Sequence, residues 1–265
     1  MAKLTYIYHD CFVFETEKEI FVFDFWKDPF SPNKELPYFL EIADKSKNLI
    51  VIVSHHHKDH YNKNIFKWFQ YFKSTKYILS KDTAKYCRHI INPDSIYKGF
   101  KPDSKDIHIL SPGETYKQND FEIHAFESTD IGNSYLLNIS DRTLFHAGDL
   151  NAWTWQEESD QDEIDEMTQK FINIIDSIKK IKTNFDIVMF PVDPRMGKGF
   201  YEGAKLFNEA FKTSYFLPMH FCLAESEEKE IIFRKLVWET ELYINKKNVK
   251  SCILLTAPYS AITLI

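Results

Sequence analysis

The chain has 265 residues, 44% of them hydrophobic and 27% charged, which excludes a disordered chain and suffices for a large core. Its formal net charge of −6 argues against a protein built to neutralise nucleic-acid phosphates, although a bound metal would still attract a small anion. The four cysteines, Cys11, Cys87, Cys222 and Cys252, form no C-x-x-C pair and are expected to be reduced thiols. The start, Met1-Ala2-Lys3-Leu4-Thr5-Tyr6, lacks the apolar run of a signal peptide, and no stretch is long enough to span a membrane, so a cytoplasmic protein is expected.

In chain order, strands are expected over Leu4 to Tyr8, Phe12 to Glu15 and Ile20 to Phe25, the last two joined by the polar turn Thr16-Glu17-Lys18-Glu19. A helix follows Pro37. The unbroken apolar run Leu49 to Val53 suits a strand buried on both faces. Ile65, Phe66, Trp68, Phe69 and Phe72 recur at helical spacing. Further strands are expected over Tyr77 to Ser80, Ile107 to Leu110, Phe121 to Phe126, Ser134 to Ile139 and Thr143 to His146. The acidic stretch Glu157-Glu158-Ser159-Asp160 suits a helix start, and Ile164 to Ile181 then recur every three or four residues as in a long amphipathic helix. Strands at Ile187 to Phe190 and Tyr215 to Met219 flank a helix around Ala204 to Phe211. Ser226 is placed to cap the next helix, and strands at Cys252 to Thr256 and Ala261 to Ile265 close the chain. No linker or internal repeat stands out. One domain over 1–265 is expected, an α/β fold with sheets packed together and helices outside.

The segment Ser54-His55-His56-His57-Lys58-Asp59-His60 sits directly after the buried strand. His55 and His57 are two apart, so on extended backbone both imidazoles point the same way. With Asp59 and His60, ligand-type side chains are dense enough to converge on adjacent metal ions, and imidazole suits zinc. Two later segments fit the scheme. Leu144 to Asp149 is a strand ending in a Gly-Asp turn, and Phe216 to His220 is a strand ending in a histidine.

This order, His55-x-His57-x-Asp59-His60, then Asp149, then His220, resembles the metallo-β-lactamase-fold metal-dependent hydrolase superfamily. Ser128 to Gly132, His146 to Asn151 and Pro191 to Arg195 resemble an uncharacterised bacterial branch near the L-ascorbate-6-phosphate lactonase-like proteins. The resemblance implies a four-layer αβ/βα sandwich of two mixed β-sheets flanked by helices. It implies two zinc ions per chain, with manganese or iron as alternatives. His55 and His57 would bind the first ion, Asp59, His60 and His220 the second, and Asp149 would bridge. The family's third histidine for the first ion has no counterpart, since the matching segment reads Glu127-Ser128-Thr129-Asp130. Asp130 and His146 are candidate extra ligands, and Asp193 a candidate ligand or support. His124 alternates with apolar neighbours and is expected to face solvent.

The expected reaction is hydrolysis of a small-molecule ester, lactone, amide or phosphoester, with Asp59 orienting the water and accepting its proton. His9 and Arg195 are candidate substrate contacts, and Trp153 and Trp155 candidate pocket walls. Three readings compete with it. A non-catalytic or mononuclear descendant is kept open by the absent histidine. A nucleic-acid-processing phosphodiesterase is disfavoured by the acidic balance. A di-iron oxidoreductase is disfavoured because His57 stands where such proteins have a glutamate.

Overall fold

The computed structural model describes residues 2–31, 36–92, 101–118, 120–223, 226–244 and 247–264. The strands are β1 (Ala2–Tyr8), β2 (Cys11–Glu15), β3 (Glu19–Phe23), β4 (Asn48–Val53), β5 (Ser74–Ser80), β6 (Ile107–Leu110) and β7 (Thr115–Gln118). They continue as β8 (Phe121–Glu127), β9 (Asn133–Ile139), β10 (Arg142–His146), β11 (Asn184–Pro191), β12 (Lys212–Met219), β13 (Val249–Cys252) and β14 (Ala261–Leu264). The α-helices are α1 (Tyr38–Ile42), α2 (Lys81–Tyr86), α3 (Arg88–Ile91), α4 (Gln161–Lys179), α5 (Glu202–Ala210) and α6 (Glu227–Trp238). No helix among the described residues is long and apolar enough to cross a membrane.

The strands form two seven-stranded mixed sheets, each with helices of its own, and the fold is of the expected α/β class. The chain divides into two compact units. The first comprises 1–111 and 255–265 and the second 112–254. In the first unit the order is β14-β1-β2-β3-β4-β5-β6, antiparallel from β14 to β3 and parallel from β3 to β6. The second unit repeats that plan as β7-β8-β9-β10-β11-β12-β13, antiparallel to β10 and parallel beyond. This duplication is topological, and no sequence repeat announces it.

The topology gathers side chains. In the first sheet β1, β3 and β4 run in one direction, so the residues after their carboxyl ends share one edge. Those residues include His9 and Asp10, then Asp24, then Ser54 to His60. In the second sheet β8, β10, β11 and β12 likewise run together, which places Asp130, Asp149, Asp193 and His220 on one edge. The edge at strand carboxyl ends is where α/β sheets place their ligands. The strands that carry these loops are firmly held. Leu49 to Val53 of β4 are all 0% exposed, each contributing about 1.5–3 kcal/mol by burial.

Several expectations shift. The segment around Ile65 to Phe72 is 3-10 over Lys63–Gln70, not α-helical. Its aromatics are poor α-helix formers, and a three-residue period aligns the buried Ile65 and Trp68 on one side. Trp68 there packs edge-on to Phe25 at 4.9 Å. The strand expected at Cys252 to Thr256 lies earlier, at Val249–Cys252, where it pairs in parallel with Thr213 to Phe216 of β12. Strand β7 and helices α2 and α3 had no counterpart in the sequence reading. Ser226 caps α6 as expected, accepting from the Lys229 N–H, and the acidic stretch ends in Asp160, which caps α4 by accepting from the Glu163 N–H. All four cysteines are free thiols. Ile265, the end of the expected last strand, lies outside the described residues.

One glycine is needed by close approach. A Cβ on Gly203 in α5 would overlap the Asn151 side chain and come within 2.8 Å of the Ala152 nitrogen, in the loop following β10. Gly203→Ala is therefore expected to destabilise the chain by about 1–3 kcal/mol, read as a lower denaturation midpoint in urea.

Candidate metal centre

In the first unit the site is built around one carboxylate. Asp24, directly after β3, accepts hydrogen bonds from the Ser54 N–H at 2.7 Å, the Ser54 hydroxyl at 2.5 Å and His60 Nδ1 at 2.9 Å. The Ser54 hydroxyl has one proton, and it goes to a carboxylate that can only accept. Ser54 Oγ, 2.9 Å from His55 Nδ1, therefore accepts from that nitrogen. Both His55 and His60 thus carry their proton on Nδ1 and leave Nε2 as a candidate ligand atom. A buried carboxylate orienting imidazoles in this way is how ligand histidines are held.

The presented nitrogens meet other ligand-type atoms. His55 Nε2 lies 3.1 Å from His57 Nδ1. His60 Nε2 lies 3.1 Å from Asp10 Oδ2 and 3.8 Å from Asp59 Oδ2. His9 Nε2 lies 3.5 Å from Asp59 Oδ2, and His9, Asp59 and His60 offer ligand atoms all within 4.8 Å of one another. Asp24, His55 and His60 form a second such group. Burial grades the carboxylates. Asp10 and Asp24 side chains are 0% and 1% exposed, and Asp59 is 19% exposed. His9, a candidate substrate contact by sequence, is fully buried against Asp10 and Asp59. Asp10 and Asp24 were missed by sequence reading. Their only signal is an aspartate at the end of an apolar strand or turn, which is too common to single out.

The second unit has a matching arrangement. His220, directly after β12, has Nδ1 3.1 Å from Asp193 Oδ2 and Nε2 3.2 Å from Asp149 Oδ1. Arg195, a candidate for gripping a substrate anion, lies on the Asp193 carboxylate, donating from Nε at 2.9 Å and Nη2 at 2.5 Å. Burial alone would raise the Asp193 pKa, but His220 and Arg195 outweigh it and hold the group down to about 2. Asp193 is thus an ionised orienter of His220, and Asp24 occupies the corresponding place beside His60 Nδ1.

Asp149 also has an oxygen within 4.8 Å of one from Asp130. Thr129 joins their two loops, its hydroxyl donating to the Asn151 carbonyl at 2.7 Å and accepting from the Asn151 N–H at 3.0 Å. Thr129 was not a sequence candidate. Gly148 precedes Asp149 at φ +52°, a conformation glycine adopts without cost, and its N–H donates to His146 Nδ1 at 3.2 Å. His146 is therefore a buried acceptor closing that turn. The Trp153 indole donates to the Asp149 carbonyl at 2.9 Å, and its ring stands edge-on to His220 at 5.5 Å, so it supports these residues. Trp155 is half-buried. His124 pairs through Nδ1 with Thr115 Oγ1 across the β7–β8 edge at 2.7 Å.

Three site residues other than glycine sit at positive φ: His9 at 57°, Asp24 at 43° and His220 at 67°. Such conformations gather where surrounding structure imposes them, and functional sites are the usual place. The donors throughout are imidazole nitrogens and carboxylate oxygens without thiolate, a set that fits a borderline divalent cation such as zinc, manganese or iron.

Residues 3–220 match the profile of the beta-lactamase superfamily domain. No curated protein matches the chain. Among solved structures, the chain is similar to CmlA, a diiron beta-hydroxylase from Streptomyces venezuelae, with TM-score 0.66 and 12% identity over 99% of this chain and 54% of that one. The chain thus spans about half the length of CmlA. It is also similar to Igni18, a metallo hydrolase from Ignicoccus hospitalis, with TM-score 0.60, 15% identity and coverage of 100% and 98%. YhfI from Bacillus subtilis, a metallo-beta-lactamase fold protein, gives TM-score 0.59, 13% identity and coverage of 99% and 100%.

Proposed function

The chain belongs to the beta-lactamase superfamily, and on that premise we propose that it is a metal-dependent hydrolase of a small-molecule ester, lactone, amide or phosphoester. The observation that carries this reading is the state of three histidines. His55, His60 and His220 are each held through Nδ1, by Ser54, Asp24 and Asp193, and each presents Nε2 to other ligand-type groups.

We assign His55 and His57 to one ion, Asp59, His60 and His220 to a second, and Asp149 as the bridge, following their order in the chain and the family. Asp130 takes the place of the absent third histidine, which the closeness of its carboxylate to Asp149 supports. His57, in place of a glutamate, favours zinc over a di-iron pair. Divalent cations held there would supply Lewis acidity, which would make water acidic enough to attack near neutral pH and polarise the substrate oxygen. Asp59 accepts the proton of the attacking water, being the more open carboxylate of its cluster at 19% exposure. His9, 3.5 Å from Asp59, steadies that carboxylate as it takes the proton.

Elemental analysis of the purified chain, with His57→Ala and Asp149→Ala, tests this. About two zinc, manganese or iron ions per chain are expected, with fewer in both variants. A chain that retains no metal even after zinc, manganese and iron are supplied would defeat the reading and leave a non-catalytic descendant of the fold.

A further inference from the structure

Beside the metal motif, and wholly within the first unit, lies a pocket of about 690 Å³. That is the size of a small-molecule site. Trp26, Tyr61 and Tyr86 line it with aromatic side chains, and Lys27, Lys58 and Lys63 give it positive charge. No carboxylate is among its described lining residues. In a chain of net charge −6 this is a local reversal of sign.

The walls are built and not incidental. His56 places its backbone N–H and Nδ1 3.1 and 3.0 Å from Asp82 Oδ2, which fixes the imidazole. The Tyr86 ring lies 4.7 Å from His56 at 30°, and Tyr61 stands edge-on to Tyr86 at 6.0 Å. Tyr86 is 58% exposed, a large ring face open to solvent. In the same lining, the Lys27 ammonium lies 4.3 Å over Trp26, and the Trp26 carbonyl accepts from Asn62 at 2.8 Å. The pocket is also joined to the ligand residues. His56 and Lys58 alternate with His57 and Asp59 in the motif, the His56 and His57 rings are 5.4 Å apart, and Trp26 stands edge-on to His9 at 5.7 Å.

We propose that this pocket is the substrate-recognition site, and that it selects an anion bearing an aromatic or similarly flat ring. The inference rests on the hydrolase reading above and names its substrate class. The ring stacks among Trp26, Tyr61 and Tyr86. The anionic group meets the lysines, which act as mobile point charges without the fixed fork of an arginine. That charge is distinct from the bond to be cleaved, which reaches past His56 toward His57 and Asp59.

The test is calorimetric titration of the metal-analysed chain with naphthalene-2-sulfonate, an anionic aryl probe whose sulfonate is a weak metal ligand. Naphthalene-2-methanol, naphthalen-2-ylmethylammonium and ethanesulfonate remove the charge, reverse it or remove the ring. The aryl sulfonate is expected to bind on the order of tenfold more tightly than each of the others, and to weaken as salt is raised. A Lys27→Gln, Lys63→Gln double variant should lose on the order of tenfold in affinity, and Tyr86→Ala a similar factor, with metal content unchanged in both. Probes that bind alike, or binding indifferent to salt and to both variants, would overturn the proposal. The probe comparison and salt dependence use the unaltered chain, so they decide even if a variant misfolds. Binding by the aryl sulfonate in a chain that holds no metal would sink the hydrolase reading and leave the pocket's selectivity standing. A chain with its metal and no such preference would do the reverse.

Discussion

Asp24→Ala is expected to destabilise the chain by about 3–5 kcal/mol and to weaken metal binding by about 10–100-fold. The carboxylate is 1% exposed and accepts from Ser54 twice and from His60 once. Removing it leaves the Ser54 N–H and the His60 Nδ1–H as buried donors without their acceptor, and the desolvation penalty of each is then unmet. It also frees the Ser54 hydroxyl, so the constraint on His55 Nδ1 is lost along with that on His60. A further cost comes from the backbone, because alanine tolerates φ +43° less well than aspartate. Guanidinium denaturation gives the stability, and competition against a chelator gives the affinity. Asp24→Asn separates the two effects. It should keep more of the stability, through an amide that fills the space, while still losing metal affinity because an amide donor faces the imidazoles. An Asp24→Ala chain with the unaltered midpoint and metal affinity would remove Asp24 from the site.

Chelation is expected to lower the melting temperature steeply. Asp10, Asp24 and Asp59 are grouped around His60, and the Asp130 and Asp149 carboxylates are grouped in the second unit. Such clusters carry like charges that a divalent cation neutralises. A metal present at a thousand times its dissociation constant stabilises the native chain by about 4 kcal/mol. For a chain of this length each kcal/mol shifts the melting temperature by about 2–4 °C, so EDTA should lower it by about 8–16 °C and zinc should restore it. The shift should shrink in Asp149→Ala. Equal melting temperatures with EDTA, with zinc and with neither would mean that no cation is held by the folded chain.

The run of ligand-type residues from His55 to His60 was legible because its chemistry is local. The spacing of the histidines, the apolar strand before them and the density of donors all lie within a dozen residues, and periodicity alone places them on a loop at a strand end. The Gly-Asp turn at Asp149 and the strand-end His220 were readable for the same reason. Most strands were legible too, as apolar runs or alternations, with ends off by a few residues. The 3-10 segment at Lys63–Gln70 was misread as α-helix, since a short aromatic stretch satisfies both periods.

The class of fold, the family and the run of ligand-type residues are all written in the sequence, because each depends on patterns a few residues long. Only folding brings up the carboxylates that orient these imidazoles. Asp24 is 30 residues from Ser54 and 36 from His60, and Asp193 is 27 from His220. Nothing in the intervening sequence marks those pairings. They arise because parallel strands bring carboxyl ends to one edge, where a buried imidazole must find an acceptor for its Nδ1 proton. The same holds for the lysine-and-tyrosine pocket. Its walls come from the loop after β3, the metal motif and the helices after β5, and its charge and shape exist only once β3, β4 and β5 lie side by side.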